Sequence, residues 1–397
     1  MEKTQLLSFL TGSERGLARR RAAVLPALAL TAGLGSAQAF VASTSSITDV
    51  AGLETLDDGS MVGFDGVQAP RQLFGEGQWQ AVAGFIPSDI DGLGRRPGSV
   101  AGDWSEWVFS TLSDEAGFQD ADVLGFAPGG GLEVVVAEDD LVAALGTASN
   151  IDIDGLAFDD QGRLHFSLQN GLAESVLGPV SDGDILIYDP LGFVTLGIDE
   201  AGVQARFEVA SGTTSSIGDV QGVVWTADGY VVVTQGPSES DGAVLSIGST
   251  PAFWHSEAAV GLEGAELDAL AFFEPAEHAG EMWMSAHETT DGATVTARYS
   301  GGAPGANLMV AVSGTAGFQV LPGLAGFGAL YFDLTDPFLN QSQLPLLALD
   351  AGGELELSFQ LPPGAGGIGF GDTAGWTFQC VDLDRLMLSA PYRVAVD

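Results

Sequence analysis

One stretch constrains what this chain can fold into more than any other. Asp152-Ile153-Asp154-Gly155-Leu156-Ala157-Phe158 leads through a tight turn at Asp160-Gln161-Gly162 into Arg163-Leu164-His165-Phe166-Ser167-Leu168. It reads as an acidic turn, a short apolar strand, a turn and a second apolar strand. Versions of it recur. Asp49-Val50-Ala51-Gly52-Leu53 leads to Met61-Val62-Gly63-Phe64, and Asp89-Ile90-Asp91-Gly92-Leu93 leads to Trp107-Val108-Phe109-Ser110. Asp219-Val220-Gln221-Gly222-Val223 leads to Tyr230-Val231-Val232-Val233, and Glu266-Leu267-Asp268-Ala269-Leu270 leads to Met282-Trp283-Met284-Ser285. The five copies start at 49, 89, 152, 219 and 266, so one supersecondary unit carries loops of different length.

A second element recurs between the copies. Asp120-Ala121-Asp122-Val123-Leu124, Asp182-Gly183-Asp184-Ile185-Leu186 and Asp241-Gly242-Ala243-Val244-Leu245 each open a third strand. Runs such as Leu132–Val136 and Phe193–Leu196 follow as a fourth. Four antiparallel strands per unit at this spacing are the pattern of a β-propeller. Strands covered on both faces should be apolar throughout, and Val223-Val224-Trp225 and Tyr230–Val233 are. The expected fold is all-β: a propeller of about five four-stranded blades, or six if the N-terminal segment closes another. A two-sheet sandwich is the alternative.

Three segments follow from composition. Residues 1–39 resemble an export signal, with Arg15, Arg19, Arg20 and Arg21 before the apolar run 22–34 and an Ala37-Gln38-Ala39 cleavage site. Residues 40–289 hold the repeats. From residue 290 to 397 the acidic hairpin disappears and a different β pattern begins, expected to form a small β-sandwich. No second long apolar stretch follows the signal, so no membrane span is expected.

Five of the 13 basic residues and two of the 53 acidic ones lie in the first 39, which leaves 8 basic against 51 acidic, a net charge of −43 and no lysine. Such a surface repels nucleic acid and anionic lipid and attracts cations. Cys380 is the single cysteine, so no intramolecular disulfide can form, and a buried, inert thiol is expected. A secreted or periplasmic monomer follows, held by packing, by metal, or by both.

The acidic heads carry the main chemical suggestion. If the first strand of each unit lines a channel, Asp49, Asp89, Asp91, Asp152, Asp154, Asp219, Glu266 and Asp268 converge at one mouth. So many carboxylates cannot all stay ionised unless a cation sits among them. Hard oxygen ligands favour Ca²⁺ over transition metals. Equally, each Asp can cap its own turn by accepting backbone N–H bonds. The second acidic position is kept at Asp91, Asp154 and Asp268 but is Ala51 and Gln221 in the other copies, which narrows the metal set to those three. Asp120-Ala121-Asp122 and Asp182-Gly183-Asp184 lack the ligand spacing of an EF-hand and read as turn residues.

His165 stands among Leu164, Phe166 and Leu168 and reads as a satisfied strand residue. His278 has no zinc-motif partner, and there is no Gly-x-Ser-x-Gly elbow, phosphate loop or Cys/His cluster. Trp104, Trp107, Trp225, Trp254 and Trp283 could stack on sugars but suit a core better.

The hairpin Asp-Gly-Leu-Ala-Phe-Asp-x-x-Gly-x-Leu at 154–164 resembles those of NHL and gluconolactonase-type propellers and of phytase-like esterases. That resemblance implies a divalent metal at the channel mouth that polarises a carbonyl or activates water, with Asp154 in the metal-binding turn and Asp91, Asp219 and Glu266 as partners. The Gly-x-Pro-Gly turn at 302–305, the strand at 350–355 and Phe378-Gln379 resemble a C-terminal β-sandwich module of secreted proteins from environmental bacteria. With no catalytic signature in any copy, the expected function is a secreted, non-enzymatic binding or surface-interaction protein, Ca²⁺-stabilised, with a protein or glycan partner outside the cell. A metal-dependent lactonase or phosphoesterase is the alternative.

Overall fold

The structure is a computed structural model and describes residues 39–44, 48–49, 55–56, 59–64, 71–97, 106–127, 131–236, 241–262, 267–273, 281–289, 292–300, 302–313, 316–320, 325–326, 329–332, 346–361, 376–384, 387–388 and 392–394. The repeats form four antiparallel sheets of four strands each, a propeller-like arrangement. Sheet I runs Gly92–Arg95, Trp107–Ser110, Val123–Phe126, Leu132–Val136. Sheet II runs Ile153–Phe158, Leu164–Leu168, Ile185–Asp189, Phe193–Ile198. Sheet III runs Asp219–Thr226, Gly229–Gln235, Ala243–Ser246, Ala252–His255. Sheet IV is discontinuous: Leu267–Phe273 is its inner strand, and Ala39–Thr44, Met61–Phe64 and Arg71–Phe74 complete it.

Four apolar cores separate these sheets. One holds Val108, Val123, Leu156 and Phe166 between I and II. A second holds Ile185, Val223, Val232 and Leu245 between II and III. A third holds Phe40, Phe64, Val231 and Leu270 between III and IV. The fourth packs Val41, Phe74, Trp79, Leu93, Trp107 and Phe109 between IV and I, and Ala311 and Val381 from the C-terminal region join it. The inner strands of sheets I to III and the second strands beside them are therefore largely covered on both faces, while the outer strands Leu132–Val136 and Phe193–Ile198 keep exposed positions. That is why these strands read as continuous apolar runs instead of alternating ones.

Each outer strand runs directly into a helix that the sequence reading did not anticipate: α1 (Glu76–Val82), α2 (Glu138–Leu145), α3 (Glu200–Ser211) and α4 (Glu257–Val260). All four open on glutamate. A carboxylate there is favoured by the unpaired N–H groups of the first turn, and α3 and α4 are further capped by Asp199 and Ser256. Glycines in the left-handed conformation, Gly146, Gly212 and Gly261, end α2, α3 and α4.

Two copies of the hairpin are used differently from expectation. The segment 267–273 pairs with 39–44 and not with 282–285, and Met61–Phe64 serves as the third strand of that same sheet. Asp49 lies in a two-stranded ribbon with 55–56, away from any inner-strand head. Downstream, Glu281–Thr289 pairs with Gly292–Ser300 across residue 290, and Leu355–Leu361 adds a third strand. Trp376–Asp382 pairs with Asn307–Ser313, and Tyr392–Val394 adds to it beside α1. Cys380 is buried, as expected, and burial pushes its thiol up.

Candidate functional site

The four inner strands face one another, I against II, II against III, III against IV, and IV against I. Their approach is close enough to select residue type. A Cβ on Gly155 would meet the Val223 backbone nitrogen at 3.0 Å and Ser167 Oγ at 2.8 Å. On Gly222 it would meet the Leu270 nitrogen at 3.0 Å, and on Gly92 it would meet Leu156 Cδ2 at 2.8 Å. The glycine after the acidic heads of sheets I, II and III is therefore there for strand-to-strand contact; sheet IV has Ala269 in its place. Hydroxyls tie the sheets as well: Ser43 Oγ donates to the Ile90 carbonyl, and Ser110 Oγ donates to the Ile153 carbonyl at 3.1 Å.

At the heads of sheets II, III and IV the ladder slips. The register shifts between Ile153 and Gly155, between Val220 and Gly222, and opposite Ser43 at Asp268-Ala269. A bulge leaves its extra residue unpaired and re-aims the side chain. It turns Asp154 and Asp268 toward the space between the inner strands, where Asp91 joins them from sheet I. Asp89, Asp91 and Asp268 each offer an oxygen within 4.8 Å of the others, and all three are buried. Asp154 and Asp219 face the same space, their carboxyls in hydrogen-bonding contact.

The two acidic positions of each head divide the work. Ile90 N–H donates to Asp89 Oδ1 at 2.8 Å, and Val220 N–H donates to Asp219 Oδ1 at 2.6 Å. Ile153 N–H bonds Asp152 in the same way. These first carboxylates cap their own turns. The second ones, Asp91, Asp154 and Asp268, are only 2%, 4% and 5% exposed and take no such bond. Asp91 Oδ2 is buried with no hydrogen-bond partner.

Burial and crowding show in the acidities. Burial, then the charges of Asp152 and Asp89, push Asp91 up to about 8. Burial, then Asp219, Asp268 and Asp91, push Asp154 up to about 11, and Asp268 is raised well above its usual range by burial and by Asp91. Burial also lifts Asp219 to about 6, and burial with Asp120 lifts Asp152 to about 7. Among the described residues the arginine ion pairs, Arg95–Glu106, Arg96–Glu133 and Arg163–Asp159, lie elsewhere. The cluster can meet its repulsion in two ways: carboxyl–carboxylate proton sharing, or a cation. A Ca²⁺ ion takes oxygens at roughly 2.4 Å, so opposed ligands stand about 4.8 Å apart. The spread of Asp89, Asp91 and Asp268 fits one such ion.

Six of the eight residues named from sequence thus come together; Asp49 lies in the separate ribbon with 55–56, and Glu266 lies outside the described residues. Sequence reasoning missed the outer companions of the cluster, Asp120 and Glu138. The signal was present in the recurring glutamate of the four helices, but it needed the helices to be recognised first. His165 is satisfied as expected: Nδ1 lies 2.9 Å from Tyr230 Oη and Nε2 lies 3.2 Å from Asp159 Oδ2. Burial would raise Asp159, but hydrogen bonds from the Arg163 backbone and guanidinium and from His165 hold it down to about 2. At the opposite end of the inner strands lies a cavity of about 100 Å³ lined by Gly94, Arg95, Phe158, Trp225 and Phe272.

No family model matches this chain, and no curated protein matches it. Among solved structures it is similar to PorZ of Porphyromonas gingivalis, described as an essential bacterial surface component of the type-IX secretion system. The identity is 11%, the match covers 85% of this chain and 56% of that one, and the TM-score is 0.25. A likeness that loose adds no argument about this chain's fold or role.

Proposed function

We propose that this protein is an exported binding or surface-interaction module: a closed four-bladed propeller pinned at its axis by a Ca²⁺ ion on Asp89, Asp91 and Asp268. The observation that carries the reading is the meeting of three buried carboxylates from two sheets, Asp91 with an oxygen that has no partner, and Asp154 beside them. Adjacent sheets share a core at every junction, IV with I included, which supports closure. Closure would make the N-terminal strand 39–44 the clasp of the ring, since it pairs with 267–273.

The site suits a structural ion better than a substrate. Its carboxylates are almost wholly covered, which shields them from an organic group in solution. The partner, a protein or glycan outside the cell, would then be met on the surface. Export is supported by the arginine-rich, apolar start and the Ala-x-Ala site. No helix among the described residues is long and apolar enough to cross a membrane.

A second reading, a metal-dependent lactonase or phosphoesterase, is favoured by one observation. Asp154, held protonated, contacts Asp219, which titrates near 6, and such a pair could supply an acid and a base beside the ion. Melting with and without chelator tests the ion, and assays on lactones and phosphate esters with Ca²⁺ test the enzyme. A melting temperature unmoved by chelator and by Ca²⁺ sinks the first reading. Turnover that Asp154→Ala abolishes with the fold intact establishes the second.

A further inference from the structure

The outer strands of the four sheets are not alike. Among the described residues each one ends its sheet: Leu132–Val136, Phe193–Ile198, Ala252–His255 and Arg71–Phe74. A sheet edge presents a row of unpaired N–H and C=O groups, which chains blunt with a charge, a proline or a bulge. All four outer strands have the bulge. Before it, the ladder stays regular over 132–134 in sheet I, 193–196 in sheet II, 252–253 in sheet III and 71–72 in sheet IV. The stretch in sheet I contains Glu133, paired with Arg96 at 2.6 Å. The one in sheet III follows Pro251, and the one in sheet IV begins with Arg71. The stretch 193–196 is the longest of the four, and it has neither charge nor proline.

Phe193, Val194, Thr195 and Leu196 pair on their inner side with Asp189, Tyr188, Ile187 and Leu186 without a break. Of the four, Val194 is buried, in one core with Leu141 and Leu145 of α2. The others are exposed. Phe193 and Leu196 are each 49% exposed, and Leu191, just ahead of the strand, is 85% exposed. Side chains alternate along a strand, so Phe193 stands on one face and Leu196 on the other. The edge therefore offers regular backbone with an uncovered apolar side chain on each side of it.

Charge selects the occupant. From Leu164 to Ala205 the chain has no lysine or arginine and six acidic residues, of which Asp189, Asp199 and Glu200 flank the strand. A second copy would set these same acids, and the net charge of −43 on residues 40–397, against themselves. An extended segment of another protein, apolar in its middle and carrying lysine or arginine at its ends, matches both features. Its backbone meets the open edge, its apolar residues meet Phe193 and Leu196, and its bases meet the flanking acids.

We propose that sheet II takes up a fifth strand: a basic-ended, apolar, extended segment of a partner protein adds along 193–196. The proposal rests on the reading of this protein as an interaction module, and it gives that reading a surface and a class of partner. Main-chain hydrogen bonds supply the affinity, while the apolar pairs and the terminal charges select the sequence. Addition stops at Gly197, where the ladder slips and a Cβ would meet Tyr230 Oη at 2.8 Å.

The test uses the whole protein and a synthetic peptide, acetyl-Lys-Lys-Thr-Val-Thr-Val-Lys-Lys-amide, followed by fluorescence anisotropy and by hydrogen exchange. Binding should slow amide exchange in 193–196 and leave the outer strand of sheet I unchanged. Leu196→Glu and Phe193→Glu should each weaken binding by about ten-fold or more, although each adds a negative charge. Plain attraction between a basic peptide and an acidic protein would strengthen instead, and that result overturns the proposal. A peptide with proline in place of its second threonine should not bind, and binding as tight as the parent peptide's overturns the proposal too. So do outward amides of 193–196 that are already protected in the protein alone, which would mean that another part of the chain covers the edge. A dimer that Leu196→Glu dissolves has the same force, because the occupant is then a second copy. A peptide that does not bind at all overturns this surface, whereas the axial ion is read separately from the melting response to chelator, so the two failures are distinct. Should Leu196→Glu not fold, Phe193→Glu carries the same comparison.

Discussion

Raising the pH of the chelated protein from 5 to 8 should destabilise it, and Ca²⁺ should abolish that loss. Asp91 has its carboxyl raised from 3.8 to about 8. A group bound to its proton more tightly in the folded state than in the unfolded one adds stability at low pH. That contribution is lost as pH climbs from the unfolded value through the folded one. Between pH 5 and pH 8 about 3 of these pKa units are crossed, and at about 1.4 kcal/mol per unit this is roughly 4 kcal/mol for Asp91 alone. Asp154 and Asp268 titrate with it, so the figure stands for the coupled cluster and is not multiplied by three. With an unfolding entropy near 2.1 cal/mol/K per residue, 1 kcal/mol moves the midpoint of a chain this long by about 1.3 °C, so the fall is roughly 5 °C. Ca²⁺ at about 1,000 times its Kd adds about 4 kcal/mol and should cancel it. Scanning calorimetry at pH 5, 6, 7 and 8, with chelator and with millimolar Ca²⁺, measures both. A chelated midpoint that stays level or climbs over this range, with no response to Ca²⁺, would refute the reasoning.

Asp154→Asn should raise the chelated midpoint by removing a buried acid from the cluster, while reducing the increment gained from Ca²⁺; both are read from the same scans. Gly155→Ala places a methyl 3.0 Å from the Val223 nitrogen, where only backbone could yield, and should cost about 2–3 kcal/mol by denaturant titration. The same change at an exposed turn glycine would not report on strand approach. Ser110→Ala removes the hydrogen bond to the Ile153 carbonyl across two sheets and should cost about 1–2 kcal/mol. Tyr230→Phe leaves His165 Nδ1 without its phenol partner and should cost about 1 kcal/mol, with no effect on Ca²⁺ uptake. Mass spectrometry of the exported protein should place its N-terminus close to Phe40, after the Ala37-Gln38-Ala39 site.

The acidic heads were legible because the chain states them several times over. Repetition of Asp-x-Asp-Gly before an apolar run marks both the strand and its neighbour-facing glycine, and the loss of the second acid at Gln221 separated turn caps from inward carboxylates. Sheet IV was not legible. Local pattern pairs a strand with the next apolar run, so 267–273 was matched to 282–285, whereas its partner 39–44 lies more than 200 residues away and carries no acidic head of its own. The helices escaped notice for a related reason. They are short, and α1, α2 and α4 run to only 7, 8 and 4 residues, too brief for periodicity to stand out among strands.

By itself the sequence determined the unit: four short strands, a small residue (glycine in three copies, Ala269 in the fourth) at each inner head and carboxylates beside it, because local chemistry dictates turns, bulges and apolar runs. Only the tertiary structure decided which heads share one space and which acids stay without donors. Those properties depend on distances between strands remote in the chain.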